Sequence, residues 1–330
     1  MTSLSVAVIG AGAAGLATAR ALSRHFSVRV FEKARGPGGR LAHRRREHFA
    51  FDFGAQYFTA RDPRFVAEVA ALRSAGIVSP WHCRFSKMEN GREIDRQIWD
   101  DDTAHYVGTG RMSALSAYWA SGMDVKLQTR ITQLRETRTG WSLQSDSGEV
   151  FGPFAFVVIA LPALQAAALL PDQSPLRVNA QEARMSGCFA LMLGLEAPAE
   201  LTFDAAEIIN GPLSWLAVCD SRPGHEAGPG LVVLSNNLWA DVHMEDPPSL
   251  VEAVMRAELD RLIAAKLRVV HADLHRWRYA NCPPIHDALP MLDARNRLAL
   301  CGDWTDHGRV EAAYLSGVRI AELVRGVLTA

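Results

Sequence analysis

The chain has 330 residues, which is enough for two domains of ordinary size or for one large domain with an insertion. Apolar residues make up 48% of it and charged residues 22%, a globular composition that argues against disorder. A formal charge of −1 at pH 7 gives no basis for electrostatic binding of nucleic acid. The five cysteines lack C-x-x-C spacing, which indicates neither a zinc ribbon nor a dithiol centre and fits a reduced, cytoplasmic compartment.

One uncharged stretch, Val150 to Pro171, is long enough to span a bilayer. Pro153 and Pro162 interrupt it, and its centre, FAFVVIALP, is typical of a buried strand followed by a turn. The sequence therefore predicts no membrane segment and no membrane partner.

The first elements predict a β-α-β unit. An apolar run from Ser5 to Ile9 predicts a buried strand, residues 13–23 predict a helix, and Val28 to Phe31 predicts a second strand. Parallel strands joined by a helix indicate an α/β sheet. A further helix is expected to begin at Asp62 and Pro63.

The middle of the chain is rich in predicted strands. Alternation predicts a small antiparallel meander from Asp124 to Ser145, and residues 186–237 predict further strands. Pro247 and Pro248 begin a predicted amphipathic helix. The predicted apolar side of this helix comprises Leu250, Val254, Leu259 and Leu262.

The chain ends with elements like those at its start. A strand from Leu274 to Tyr279 comes first, then a strand from Arg297 to Cys301, and then a helix over residues 309–328. Because this last strand and helix repeat the opening pattern, we expect the strand-rich middle to be a second domain inserted into the first.

A glycine-rich turn after the first strand carries a dinucleotide-binding motif. Gly10, Gly12 and Gly15 stand at the G-x-G-x-x-G positions between a predicted strand and a predicted helix. The first glycine permits the tight turn, the second lets the backbone approach a pyrophosphate, and the third permits close packing. Glu32 ends the second strand, where a carboxylate binds ribose hydroxyls. The alignment of all these features argues against a glycine-rich turn without a ligand.

Two further segments favour FAD over NAD alone. Gly38, Gly39 and Arg40 place two glycines and a cation near the same pyrophosphate, and arginine binds phosphate through bidentate contacts. Gly302 and Asp303 follow the late strand, where an acid can accept hydrogen bonds from ribitol hydroxyls. A bare NAD-binding domain needs no such segment.

Several other polar residues are interpreted as structural. Arg44, Arg45 and Arg46 are expected to be solvated loop charges. His271 and His275, four residues apart in strand-like sequence, are interpreted as edge or core histidines rather than metal ligands. The sequence contains no G-x-S-x-G, no H-E-x-x-H and no cluster of cysteine and histidine, so no metal is expected.

Taken together, these motifs resemble the flavin amine oxidase superfamily. Within it, residues 52–61 (DFGAQYFTAR) resemble the bacterial renalases, as do residues 276–280, 301–304 and 308–311. The matches run from residue 5 to the last helix. The resemblance implies FAD-dependent oxidation of the 1,2- and 1,6-dihydro isomers of NAD(P)H to NAD(P)⁺, with O2 reoxidising the flavin and yielding hydrogen peroxide.

The motifs and the resemblance together indicate which residues contact ligands. The expected FAD contacts are Gly10, Gly12, Ala14, Gly15, Glu32, Lys33, Gly39, Arg40, Gln56, Tyr57, Ile131, Gly302, Asp303, Arg309 and Val310. The expected substrate contacts are Tyr57, Phe58, Thr59, Ala60, Arg61, Trp277 and Trp304. No cysteine or histidine lies in a recognisable flavinylation context, so FAD is expected to be non-covalent. Hydride transfer from a dihydropyridine to flavin N5 needs alignment in a dry pocket and no catalytic side chain.

The resemblance also implies the domain organisation. We expect a Rossmann-type, doubly wound FAD-binding domain of α/β class with an inserted α+β substrate domain of the amine oxidase type. The predicted FAD-binding domain comprises residues 1–60, 104–172 and 290–330. The predicted substrate domain comprises residues 61–103 and 173–289.

Two alternatives stay open. The first is an amine oxidase, whose chemistry favours an aromatic cage and often a lysine near flavin N5. The late strand offers Arg276 and Arg278 instead of lysine, and Lys266 is expected in a solvated position on the amphipathic helix. The second is a non-catalytic flavin-binding protein, because cofactor motifs alone do not establish catalysis.

Overall fold

The computed structural model describes residues 4–102, 104–263, 266–283 and 291–330. The helices are α1 Ala13–Leu22, α2 Pro63–Ser74, α3 Ala114–Ala120, α4 Ala163–Leu169, α5 Pro175–Glu182, α6 Asn237–Val242, α7 Pro248–Leu262 and α8 Val310–Thr329. The strands are β1 Ser5–Ile9, β2 Ser27–Phe31, β3 His43–Arg45, β4 Ala50–Asp52, β5 Val78–Pro80, β6 Cys83–Glu89, β7 Arg92–Trp99, β8 Tyr106–Gly108, β9 Asp124–Lys126, β10 Ile131–Thr137, β11 Gly140–Ser145, β12 Val150–Phe154, β13 Phe156–Ile159, β14 Ser186–Leu195, β15 Ala205–Ile209, β16 Leu213–Val218, β17 Gly230–Ser235, β18 Val269–Asn281, β19 Leu292–Asp293 and β20 Leu298–Leu300.

A six-stranded sheet in the order β19-β20-β13-β1-β2-β9 is parallel except for β19 at one edge. Val6 and Val8 of β1 pack with α1 and α8 on one face, whereas Ala7 and Ile9 pack with the β10–β12 meander and α4 on the other. Burial on both faces explains why β1 is apolar throughout. The expected α/β fold with a Rossmann-type parallel sheet is confirmed.

The segment at β9 differs from the expectation. Instead of joining the antiparallel meander, β9 pairs in parallel with β2 and forms the edge of the six-stranded sheet. The meander consists of β10, β11 and β12, and Gln128, with φ of 51°, separates it from β9. A half-exposed edge strand of a parallel sheet shows the same alternation as an antiparallel strand, so periodicity alone did not distinguish them.

A second sheet of seven strands is mostly antiparallel, in the order β18-β14-β17-β16-β15-β6-β7. Helices α6 and α7 cover one face of it. The buried side of α7 is formed by Val251, Met255, Leu259 and Leu262, so the prediction of Leu250 and Val254 on that side was wrong. The helix ends at Leu262, and Lys266 is an exposed residue beyond it rather than a residue on it.

The predicted domain boundaries stay a prediction. Two of them, at residues 103–104 and 289–290, include residues outside the described ranges. None of the helices in those ranges is long and apolar enough to cross a bilayer. All five cysteines are buried and free of disulfide bonds.

Candidate active site

A cleft of about 1900 Å³ lies where the carboxyl ends of β1, β2, β13 and β20 face the seven-stranded sheet. Open parallel sheets bind ligands at this edge, in the crevice outside the strand ends. The residues around the cleft come from both sheets and from the turn before α8.

The turn between β1 and α1 has the geometry of a phosphate-binding loop. Gly10 has φ of +105°, and a Cβ on it would lie 2.6 Å from the carbonyl oxygen of Ala160. A Cβ on Gly15 would collide with the carbonyl oxygen of Gly10. A Cβ on Gly12, by contrast, would meet no described heavy atom within 4 Å. The first and third glycines are therefore required by the turn, and the second leaves open space beside the helix N-terminus, where a diphosphate fits.

Glu32 lies at the end of β2 and is 7% exposed. Its carboxylate accepts hydrogen bonds from the backbone N–H of Ala11 at 2.9 Å and of Ala34 at 2.8 Å. Each carboxylate oxygen retains a further lone pair, so ribose hydroxyls fit the same group. Lys33 and Ile131 also line this end of the cleft, and their contact with FAD stays a prediction.

Arg40 and Asp303 form a bidentate ion pair, with Arg40 Nη1 2.7 Å from Asp303 Oδ2. Arg40 also donates to the carbonyl oxygen of Ala280 at 3.1 Å. Burial opposes the charge of the guanidinium, but the carboxylate of Asp303 outweighs this effect and raises the pKa of Arg40. The structure therefore brings together the residues expected at the pyrophosphate and at the ribitol.

Gly302 and Trp304 form the floor of the cleft beside this pair. Trp304 is 1% exposed, and its indole N–H donates to the carbonyl oxygen of Leu161 at 2.9 Å. A Cβ on Gly302 would lie 2.6 Å from the indole nitrogen of Trp304. The Trp304 side chain is buried and its indole N–H already has a partner. Its expected contact with the substrate stays a prediction.

Within residues 52–61, two polar side chains face away from the cleft. Gln56 does not line it; its amide donates to the carbonyl oxygen of Asp52 at 2.7 Å and accepts from Arg222 at 2.6 Å. Arg222, 7% exposed, also donates to the Gln56 carbonyl oxygen at 2.9 Å and lies 3.6 Å from the carboxylate of Asp52. Gln56, expected to contact FAD, thus fastens this segment to Arg222, which no sequence motif indicated.

The start of α8 holds the other end of the same segment. The carboxylate of Glu311 accepts hydrogen bonds from the backbone N–H groups of Arg61 at 2.7 Å and Asp62 at 2.8 Å. Arg309 and Val310, which were expected to contact FAD, line the cleft. The backbone between Gln56 and Arg61 is therefore fixed at both ends.

Tyr57 presents its ring to the cleft from an aromatic cluster. The ring centroid lies 4.9 Å from that of Trp99 and 5.5 Å from that of Trp215. Burial raises the pKa of Tyr57, the charge of Glu207 adds to this, and the charge of Arg309 opposes it. The phenol is therefore neutral at pH 7.

The remaining expected substrate residues differ in their position relative to the cleft. Thr59 and Arg61 line the cleft. Phe58 borders it, but its ring packs in the core against Phe65 at 5.9 Å. Ala60 packs against the core and does not line the cleft.

The wall formed by β18 includes His275, which was expected to be an edge or core histidine and was not among the expected site residues. Trp277 stacks on Phe53 at 5.3 Å and donates its indole N–H to the Phe53 carbonyl oxygen at 2.8 Å. His275 lies on the same face of the strand and lines the cleft. Strand periodicity of two places residues 275 and 277 on one face, and this signal could have identified His275.

The interpretation of the arginines at 44–46 was partly wrong. Arg44 belongs to β3, and its guanidinium carbon lies 4.6 Å from the ring centroid of Phe53. Arg46 pairs with Asp273 at 2.7 Å, whereas Arg45 is exposed and its side chain forms no ion pair or hydrogen bond with any described residue. The run of basic residues gave no indication of the short strand β3, and so the separate contacts of Arg44 and Arg46 were not predicted.

Comparison with known proteins identifies the fold and family. Residues 8–71 match the NAD(P)-binding Rossmann-like domain, and residues 82–325 match the flavin-containing amine oxidoreductases. The chain belongs to the flavin-containing amine oxidoreductase family. Its cofactor is FAD, and the open space at Gly12, the carboxylate of Glu32 and the pair formed by Arg40 and Asp303 fit that molecule.

Solved structures support the fold of this family member. A proposed protoporphyrinogen oxidase from Exiguobacterium sp. 255-15 has a TM-score of 0.76 at 11% identity, with 100% of both chains covered. Wild-type putrescine oxidase bound to putrescine has a TM-score of 0.71 at 14% identity, covering 99% of both chains. Reduced UDP-galactopyranose mutase has a TM-score of 0.79 at 11% identity, covering 100% of this chain and 95% of the other. At these identities the likeness concerns the fold alone.

Proposed function

We propose that this flavoprotein oxidises the 1,2- and 1,6-dihydro isomers of NAD(P)H to NAD(P)⁺ and reduces O2 to hydrogen peroxide, as the bacterial renalases do. The proposal begins from the renalase-like run at residues 52–61. One observation on the cleft supports it most directly: the charge of the residues that line it.

Basic residues predominate in the lining of the cleft although the whole chain is close to neutral. Three of them, Arg46, Arg276 and Arg278, pair with Asp273 or Glu245 just outside the lining. Of the described residues that line the cleft, eleven are lysine or arginine and three are aspartate or glutamate. All three acids are already engaged: Glu32 and Glu311 accept backbone N–H groups, and Asp303 pairs with Arg40. Such a lining attracts ligands that carry phosphates, including FAD and a second dinucleotide.

The size and shape of the cleft agree with two ligands. Its volume of about 1900 Å³ exceeds the roughly 300–1,000 Å³ that is common for a pocket holding one small molecule. The aromatic residues Phe53 and Trp277, which stack on each other, line the cleft on the side of β18. A planar dihydropyridine next to an isoalloxazine is a ligand of matching shape.

The proposed reaction requires no side chain that acts as a nucleophile, an acid or a base. Bound FAD supplies the hydride acceptor and passes the electrons to O2, giving hydrogen peroxide. A dihydropyridine that loses a hydride from C2 or C6 becomes the pyridinium cation directly, so no proton has to be removed from it. The protein's contribution is therefore to align the ring, through the segment from Tyr57 to Arg61, and to exclude water.

An amine substrate suits the same lining poorly. Amines arrive as ammonium ions and need an anionic or neutral path and a group that removes a proton. In the part of the chain that the structure describes, the lysine lining the cleft is Lys33, which lies beside Glu32. An amine oxidase remains the alternative outcome of the test below, and a non-catalytic flavin-binding protein is the second.

The residues that we assign to FAD are the phosphate turn with Gly10, Gly12 and Ala14, then Glu32, Arg40 and Asp303. We assign the flavin surroundings to Tyr57, Arg309 and Val310, and the attachment is non-covalent. Five free cysteines agree with a reducing, cytoplasmic location.

Turnover stoichiometry tests the proposal. The purified protein is supplied with the 1,2- or 1,6-dihydro isomer in aerated buffer, and NAD(P)⁺ and hydrogen peroxide are measured together. We expect one peroxide for each NAD(P)⁺ formed. Peroxide formation from a simple amine, with neither isomer consumed, would favour the amine oxidase; no turnover of either would favour the flavin-binding protein.

A further inference from the structure

Arg44 and His275 meet on the wall of the cleft, outside the motifs assigned to FAD. One nitrogen of the Arg44 guanidinium, Nη2, lies 3.3 Å from Nδ1 of the His275 ring. The guanidinium also stacks on Phe53. Arg44 comes from β3 and His275 from β18, so the fold brings together two polar side chains 231 residues apart.

The hydrogen bond with Arg44 defines the tautomer of His275. Burial, with the charge of Arg44 as a second cause, lowers the pKa of His275 to about 4, so the ring is neutral at pH 7. A guanidinium only donates, so Nδ1 is the acceptor and the ring hydrogen resides on Nε2. The rings of Phe53 and Trp277 pack edge-to-face on the imidazole at 4.8 and 4.3 Å and fix its plane.

The positive charge of Arg44 is incompletely balanced. Among the described residues, its nearest carboxylate is that of Asp273, 3.9 Å away, and Asp273 also binds Arg46 at 2.7 Å and His271 at 3.0 Å. Burial lowers the pKa of Arg44, Asp273 opposes this, and the charge of Arg46 adds to it. Two arginines thus share one carboxylate beside the cleft, and an anion would balance the second charge.

We propose that Arg44 and the Nε2–H of His275 bind the diphosphate of the dinucleotide substrate, and this rests on the proposed function. The FAD diphosphate has its own place at the turn of Gly12 and beside Arg40. The second anion site lies on β3 and β18, next to the stacked rings of Phe53 and Trp277. The substrate's diphosphate is therefore bound apart from the flavin's.

Binding of NAD⁺ to the oxidised holoenzyme tests this site without turnover. Calorimetry is carried out on the wild type, Arg44→Gln, His275→Phe and the control Arg45→Gln, each shown to retain FAD and to unfold at the wild-type temperature. A lost hydrogen bond to a charged group corresponds to about a tenfold or larger rise in Kd. We expect that rise in the two site variants and no change in the control.

Nicotinamide riboside, which lacks a phosphate, separates charge recognition from general disruption. It should bind all four proteins alike, whereas inorganic pyrophosphate should compete with NAD⁺ in the wild type and not in Arg44→Gln. Unchanged NAD⁺ binding in Arg44→Gln, equal losses for NAD⁺ and the riboside, or loss of FAD from that variant would each overturn the proposal. If Arg44→Gln fails to fold, the binding of NAD⁺ and of the riboside is compared in Arg44→Lys, His275→Phe and the wild type instead.

This result is distinguishable from failure of the proposed function. If Arg44 governs NAD⁺ binding but no dihydro isomer reduces the flavin, the proposed function is wrong and the anion site stands. If the isomers reduce the flavin but the Kd for NAD⁺ is the same in Arg44→Gln and the wild type, the proposed function stands and the anion site is wrong. Wild-type holoenzyme that fails to bind NAD⁺ at all would overturn the anion site.

Discussion

Arg40 and Asp303, separated by 263 residues, form an ion pair that joins the loop after β2 to the turn after β20. The side chain of Asp303 is 5% exposed and that of Arg40 is 29% exposed. Both residues line the cleft. The pair therefore links the two ends of the chain at the point where we place the middle of FAD.

Removing Arg40 should have two separate effects. Arg40→Ala should weaken FAD binding, because the diphosphate loses a charge-assisted partner. It should also lower the free energy of unfolding by roughly 3–5 kcal/mol, because Asp303 is left as an unpaired buried charge. Adding Asp303→Asn should restore much of the stability but not the FAD affinity, as measured by urea unfolding and FAD titration.

Arg45→Ala is the matched control for Arg40→Ala. Arg45 also lines the cleft, but it is exposed, and its removal should leave both quantities unchanged. Equal loss of FAD affinity in the two variants would mean that the basic residues attract FAD only through their summed charge. The assignment of a specific contact to Arg40 would then be wrong.

Substitution by alanine should have different effects at Gly12 and at Gly15, the second and third glycines of the phosphate turn. Gly12→Ala should leave the stability of the FAD-free protein unchanged, because the added Cβ meets open space, while FAD binding falls by about tenfold or more. Gly15→Ala should lower the free energy of unfolding by on the order of 1–3 kcal/mol through a backbone collision.

Gly326→Ala, with open space near the exposed end of α8, is the control: it should leave FAD affinity unchanged and should not lower the stability, because alanine is the better helix former. Thermal unfolding and FAD titration measure all three variants. Normal FAD affinity in Gly12→Ala would mean that the diphosphate binds elsewhere.

The sequence predicted the geometry of the turn after β1 better than that of the wall formed by β3 and β18. Gly10, Gly12 and Glu32 belong to one contiguous β-α-β unit, so their local spacing determines their geometry. Arg44 and His275 meet only because β3 and β18 are adjacent in space, and no local pattern carries that information. The parallel pairing of β9 with β2 was missed for the same reason, since its alternation is compatible with either strand direction.

Tyr57 and Thr59 should affect reduction more than cofactor binding. Tyr57→Phe removes a neutral hydroxyl at the cleft, worth about 0.5–1.5 kcal/mol as a hydrogen bond, or roughly three- to tenfold in rate. Thr59→Val should act in the same direction. Anaerobic reduction rates are compared with FAD affinity in the same variants. Unchanged reduction would make this segment a scaffold and place the substrate elsewhere.

The depressed pKa of His275 predicts a pH dependence of stability. The folded-state pKa is about 4 against an ordinary value of 6.5, so the unfolded chain binds the additional proton between these values. This contribution to stability is present above pH 6.5 and is lost as the pH falls toward 4. His275→Gln should flatten the decline in urea unfolding over that range, whereas exposed His48→Gln should follow the wild type. Parallel curves for His275→Gln and the wild type would contradict the prediction.

Anaerobic rapid mixing with the holoenzyme tests the central claim, that the ligand next to the flavin is a dihydronicotinamide with its hydride at C2 or C6. In a pose that places C2 or C6 over flavin N5, the C4 hydride of ordinary NAD(P)H lies elsewhere. A misplacement of about 1 Å costs on the order of a hundredfold in rate. We therefore expect the 1,2- and 1,6-isomers to bleach the flavin far faster than the 1,4-isomer, and simple amines to bleach it barely. Rapid bleaching by an amine while both isomers are inert would contradict the account.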